Sequence, residues 1–146
     1  MITRHFVIVE EAERALLAAC RCGHAEVVEF TVAPRSTSAE HPWGGHEWLI
    51  EFAEPPRAPA LFVRTLDETL QQINADYRTT RTAHVGMVTP RVVELPAGTF
   101  YRWIRERVAL GDQPRVPRVT NDRAVADALL SIVRVRGCSP LIAVGS

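Results

Sequence analysis

LFVRTLDETLQQINADYRTTR, residues 61–81, decides how the rest of the chain is read. Its apolar positions Phe62, Leu66, Leu70, Ile73 and Tyr77 recur every three or four residues, which is one face of an α-helix. Asp67 and Glu68 fall away from that stripe. Before it, HEWLIEF at 46–52 reads as a strand that ends in EPPRAP at 54–59. Further upstream, PRSTSAEHPWGG at 34–45 is a turn-rich loop, and AEVVEFTVA at 25–33 alternates as a strand does. EEAERALLAAC at 10–20 is rich in helix formers, with Ala12, Leu16 and Ala19 on one face and Gly23 suited to its end. FVIV at 6–9 reads as a short first strand.

Downstream, residues 84–95 give two extended pieces around Pro90, of which VVEL at 92–95 is the clearer. Pro96 and Gly98 make a turn, and Thr99 is placed to cap a helix over 100–109. The two prolines of LGDQPRVPR, 110–118, oppose helix and leave an extended loop. Asn121 or Asp122 is placed to cap a last helix through about Ile132. The tail beyond it is apolar but punctuated, and reads as a strand or an unpacked end. Strands and helices mix without strict strand–helix–strand repetition. The expected fold is therefore α+β, a single small domain whose largely antiparallel sheet is flanked by helices.

The chain has 146 residues, 47% of them hydrophobic, which suffices for one real core. Its 17 basic residues balance its 17 acidic ones, and every basic residue is arginine. Without lysine there is no Walker-A phosphate loop and no lysine Schiff base. Zero net charge argues against general affinity for nucleic acid or anionic membranes. No apolar run is long enough to span a bilayer, and no export signal opens the sequence. The three cysteines, Cys20, Cys22 and Cys138, then suggest reduced thiols and a cytoplasmic setting.

Several groups carry side chains with chemical potential. Cys20, Cys22 and His24 offer metal-ligand types, but a zinc site needs about four ligands and this spacing is tight, so no metal is expected. Cys138 with His46 or His84 has no local support as a nucleophile pair. Glu47 and Glu51 share one strand face, open either to acid–base work or to the plainer role of a half-exposed strand. Trp43, Trp48 and Trp103 read as core or interface anchors. Asn74, Asp76, Tyr77, Arg78 and Arg81 close the long helix. They are either a helix terminus with favourably placed arginines or a contact for phosphate or carboxylate. Arg115 and Arg118 on the proline-stiffened ribbon, with Asn121, Asp122 and Arg123 behind it, suit two-pronged contacts to the same anions.

GHEWLIEF (45–52), LDETLQQINADYRTTR (66–81), VVELPAGTFYRW (92–103) and GDQPRVPRVTNDR (111–123) together resemble the C-terminal domain of the auxin-responsive (Gretchen Hagen) acyl-acid amidosynthetases in their bacterial form. The blocks match in order and spacing over nearly the whole chain, from near residue 8. The resemblance implies the fold of the mobile C-terminal domain of adenylate-forming enzymes. It also implies ATP-dependent activation of a carboxylic acid and transfer of the acyl group to an amine. A large N-terminal adenylation domain supplies most of the nucleotide pocket in that family. Residues 1–146 correspond to the small domain alone, so the expected partner is a separately encoded large domain. ATP and magnesium would bind only in the completed synthetase, and no cofactor is expected on this chain by itself. A homodimer through the sheet edge or the 34–45 loop is the other pairing considered.

The resemblance also assigns residues. Gln113 and Arg115 take the places of the family's catalytic loop, with Arg115 where the family has lysine. Arg118, Arg81, Arg78, Asn74, Tyr77 and Asn121 are the candidates for phosphate or substrate contact. Thr80 stands where a basic residue is usual. The exchanges at positions 80 and 115 leave two readings open: a component that completes a synthetase, or a binding module that kept the fold and lost the chemistry. Independent chemistry using Cys20, His46 or the Glu47/Glu51 pair is a third.

Overall fold

A computed structural model describes residues 7–35, 44–82, 88–111, 115–135 and 141–143. Helix α1 (Val9–Gly23) leads into β1 (Glu26–Pro34) and β2 (His46–Glu54). Helices α2 (Pro59–Ile73) and α3 (Ala75–Thr82) follow, then β3 (Arg91–Leu95), α4 (Thr99–Ala109), α5 (Ala124–Val135) and β4 (Leu141–Ala143). The sheet runs β1-β2-β3-β4. Its outer ladders are antiparallel and the central β2–β3 ladder is parallel. The α+β class and the predominance of antiparallel pairing are as the sequence reads. The parallel step follows from connectivity, because α2 and α3 carry the chain back to the starting end of the sheet before β3 begins.

The sheet separates two cores. On one face, Phe30, Val32, Trp48 and Ile50 pack against Leu16 of α1, against Phe62, Leu66 and Leu70 of α2, and against Tyr77. On the other, Ala33, Leu49, Val93 and Leu95 meet Phe100 and Trp103 of α4 and Leu129 and Val133 of α5. β2 is thus buried on both sides, not half exposed. Trp48 and Trp103 anchor opposite cores; Trp43 lies outside the described residues.

Five local expectations change. The apolar run at 6–9 does not make a strand where it is described. Val9 opens α1, and the Glu11 carboxylate accepts the Ile8 N–H at 3.2 Å. Acidic residues in a first turn favour helix there, which outweighs the β-branched run. At the other end of α1, the left-handed position belongs to His24 (φ 53°), not Gly23. Gly23 is instead a packing glycine, since a Cβ there would sit 3.3 Å from Pro56.

The 61–81 stretch is two helices. Asn74 adopts extended backbone (φ −135°, ψ 107°), closing α2. Its Oδ1 accepts the Tyr77 N–H at 2.9 Å and so caps α3. Asp67 does not face away. It is buried, for a reason that belongs to the site below. Finally, Thr99 does not cap α4 through its hydroxyl, which donates to the Pro96 carbonyl. The cap comes from Glu51 on β2, whose two oxygens accept the N–H groups of Gly98 and Phe100 at 3.1 Å each.

Candidate functional site

Two arginine-bearing regions hold nearly all of the sequence candidates. The first is the α2–α3 corner. The break at Asn74 turns α3 back so that Tyr77 and Arg81 reach Asp67, one helix away. Arg81 grips Asp67 with two parallel hydrogen bonds, Nε to Oδ1 and Nη2 to Oδ2, both 2.8 Å. The Tyr77 hydroxyl donates to the same carboxylate at 2.6 Å, and Gln71 donates to it at 3.1 Å. Burial pushes Asp67 up, but the hydrogen bonds from Arg81 and Tyr77 outweigh it and hold the carboxyl below its usual value. Burial, then the Asp67 charge, push the Tyr77 phenol well above its ordinary range. The Asp67 hydrogen bonds raise Arg81 further.

Asn74 adds a tie to α1, its Nδ2 donating to Glu11 at 3.0 Å. His46 stacks on Tyr77 with ring centroids 5.9 Å apart. Three of the four candidates here, Asn74, Tyr77 and Arg81, are therefore engaged inside the fold. Arg78 is exposed, beside a shallow hollow lined by Glu68, Gln71 and Gln72.

The second region is the ribbon after α4. It lies along the edge of β1: Val32 donates its N–H to the Arg118 carbonyl at 2.8 Å, and Thr120 returns one to Val32 at 2.9 Å. Val119 makes a parallel bridge to Val32. The Thr31 hydroxyl donates to the Pro117 carbonyl at 2.6 Å. Ordering this proline ribbon is thus a matter of added sheet pairing. Arg118 lies over the Phe30 ring and pairs with Glu13 at 2.6 Å, its side chain still 44% exposed. Arg115 and Asn121 are exposed. Gln113 lies outside the described residues. Asp122 accepts the Ala124 N–H at 2.9 Å and opens α5, the capping role expected of it or Asn121.

The structure does not bring the remaining candidates together. Glu47 and Glu51 share a strand face but serve different partners. Glu51 caps α4, whereas Glu47 accepts from Arg123 at 3.0 Å and lies 3.6 Å from Arg91. Four strand residues separate them by roughly 13 Å, too far for one acid–base pair. Cys20 is partly buried and Cys22 exposed, both free. Burial pushes the Cys20 thiol up, away from nucleophilic character. Among the described residues no group of three or more His, Cys, Asp or Glu is arranged to hold a metal. Cys138 and His84 lie outside the described residues.

Sequence reasoning missed Asp67 as a member of the site. Its signal was present: the Arg81 candidate needed an anion, and an acid one residue off an apolar stripe is the nearest supply. It also missed two arginines at the end of the sheet, Arg35 and Arg91, and that Arg123, read with the ribbon, reaches the same end; no single segment groups the three.

Comparison with known proteins agrees with this geometry. The GH3 family C-terminal domain matches residues 10–124. Solved structures share the fold. One is AtGH3.15 acyl acid amido synthetase in complex with 2,4-DB, at 16% identity and a TM-score of 0.72. Another is GH3.15 acyl acid amido synthetase, at 16% identity and a TM-score of 0.71. In each case 90% of this chain is covered but only 25% of the other. The chain thus spans about a quarter of the length of the structures it matches. No curated protein matches its sequence. The chain belongs to the GH3 family, as its C-terminal domain.

Proposed function

We propose, from that membership, that the domain docks on a separate large adenylating domain and completes an ATP-dependent acyl-acid amidosynthetase. The observation that carries the reading is the family match over residues 10–124 together with the retained ribbon of Arg115 and Arg118 on an exposed edge. Gln113 and Arg115 would act in the adenylation loop, with Arg115 supplying the positive charge at the lysine position. A guanidinium directs its charge as a planar fork, where an ammonium is a compact point. Arg118, Arg78 and Asn121 would contact phosphate or the acceptor's carboxylate. Asn74, Tyr77 and Arg81 would serve that surface by fixing α3, and with it Arg78. ATP and magnesium belong to the completed synthetase. The form of the family proposed is the bacterial one, from the four blocks at 45–52, 66–81, 92–103 and 111–123.

Surface character favours docking over independent catalysis. Tyr101 and Val108 lie two helical turns apart on α4, 66% and 52% exposed, and Leu110 follows at 74%. The polar hollow beside Arg78 is shallow, unlike a substrate cleft. Exchange of labelled pyrophosphate into ATP, measured on a family large domain with and without this chain, tests the proposal. Exchange that rises with added chain and falls with Arg115→Ala supports it. Exchange indifferent to the chain sinks it.

A second reading is a catalytically inactive binding module. The absence of lysine favours it, as does the complete engagement of Arg81 by Asp67. In that case docking would persist with Arg115→Ala while exchange stayed flat throughout.

A further inference from the structure

The end of the sheet where β1 finishes and β2 and β3 begin gathers three arginines, of which Arg35 and Arg91 belong to neither the family motifs nor the ribbon. Arg35 follows β1 directly. The register pairs Pro34 with His46 and Glu47 with Arg91, so Arg35, Glu47 and Arg91 stand at three neighbouring strand ends. Arg123, at the start of α5, reaches the same end and donates to the Pro34 carbonyl at 2.9 Å.

The cations here are not equally satisfied. Arg123 bonds both Glu47 and Asp127 at 3.0 Å. Arg35 is partly buried, and among the described residues its guanidinium makes a single hydrogen bond, from Nη1 to the Thr89 carbonyl at 3.3 Å. Among the described residues no carboxylate lies within ion-pair distance of it. Its side chain is nevertheless fixed. The backbone N–H donates to Gly45 at 2.9 Å, and the Cδ lies where a Cβ on Gly45 would come within 3.0 Å. The missing side chain at Gly45 is what admits it.

Arg91 is the second under-used donor. Its Nε is buried with no hydrogen-bond partner, and its nearest acid, Glu47, is 3.6 Å away and already shared with Arg123. Among the described residues, three arginines against Glu47 and Asp127 leave one positive charge in excess. Burial, then the neighbouring Arg91 charge, hold Arg35 below its ordinary value, with Glu47 offsetting only part of this. A fixed, partly dehydrated guanidinium with spare donors is costly unless an anion completes it.

We infer that Arg35 and Arg91 form a binding site for a single carboxylate group at this end of the sheet. One excess charge matches a monoanion, and the planar fork of a guanidinium matches the two oxygens of a carboxylate. The site uses other residues than the ribbon does: neither Arg35 nor Arg91 is among the proposed docking residues, and the Arg118 side chain lies over Phe30, not over Arg35. It therefore holds or fails independently of the docking proposal.

Titration of the intact chain with sodium acetate at constant ionic strength tests it, read by the arginine Nε–H resonances in nitrogen-15 spectra. Saturable shifts confined to Arg35 and Arg91 are expected. Arg35→Gln should weaken the affinity at least tenfold. Arg35→Lys, which keeps the charge and loses the fork, should weaken it as well, and covers the case in which the glutamine variant does not fold. Shifts that never saturate, or that persist unchanged in a folded Arg35 variant, overturn the site. A parallel titration with inorganic phosphate checks the ligand class. Saturation at a tenfold lower concentration than acetate overturns the carboxylate assignment.

Discussion

The α2–α3 corner and the ribbon at 115–118 carry the same kind of residue and answer to the same family motifs, yet their arginines live under opposite conditions. Arg81 is 16% exposed in its side chain and grips a carboxylate that is 8% exposed. Arg118, at 44%, pairs with an acid that is 45% exposed. Removing water from a charge pair deepens both its attraction and the penalty for breaking it. The corner is therefore a brace, and the ribbon is a surface free to meet something else. A motif match alone does not distinguish the two roles; burial and partner geometry do.

The sharpest way to break this contrast is Asp67→Ala. It strands Arg81 and the Tyr77 hydroxyl, and the expected loss is about 3 kcal/mol of unfolding free energy in urea titration. Replacing both partners with apolar residues, Asp67→Leu with Arg81→Met, should recover most of that loss. A cost below about 1 kcal/mol for the single change would mean that the corner is no more than a surface pair. The same carboxyl gives a pH signature. Its folded value lies below the unfolded one, so its stabilisation is complete above the ordinary aspartate value and is lost as pH falls through the folded value. Asp67→Asn should remove that part of the acid sensitivity, read as a shallower loss of melting temperature on acidification.

Glu51→Gln is expected to cost next most, about 1–2 kcal/mol, because a buried charged cap of α4 becomes a neutral one. Circular dichroism melts on the intact chain would show it. Tyr77→Phe removes one hydrogen bond to Asp67 but leaves the arginine grip, for an expected loss of about 1 kcal/mol. The smallest effect belongs to the ribbon. Arg118→Ala should change stability by no more than about 0.5 kcal/mol, since its ion pair is exposed. If the ribbon works as proposed, the same variant should lower pyrophosphate exchange at least tenfold. A large stability loss with no change in exchange would reverse the roles given to the two regions.

Much of the fold was legible from local pattern. The helix at 10–20, the strands at 25–33 and 46–52, the extended segment at 92–95 and the helix after Gly98 all appear within a few residues of their expected places. Their signals are periodicity and turn residues, which act over a few positions. The misreadings come where a distant group decides. Gly23 is set by Pro56, and the start of α4 by Glu51 from β2. Asn74 shows the boundary between the two cases. Its side chain was visibly out of place in a helix, but only the return of Tyr77 to Asp67 explains why the chain turns there.

The sequence by itself determined the α+β class, the position of most elements, the absence of any lysine-dependent chemistry and the set of motifs that mark the family. These follow from composition and from spacing along one chain. Only the tertiary structure decided which arginines are consumed and which remain available. It placed Arg81 against an acid that the helical stripe had assigned to solvent. It also set Arg35 and Arg91, far apart in sequence, at neighbouring ends of one sheet. Charge satisfaction is a property of three-dimensional neighbours, because electrostatic and hydrogen-bond energies fall off over a few ångströms of space and take no account of distance along the chain.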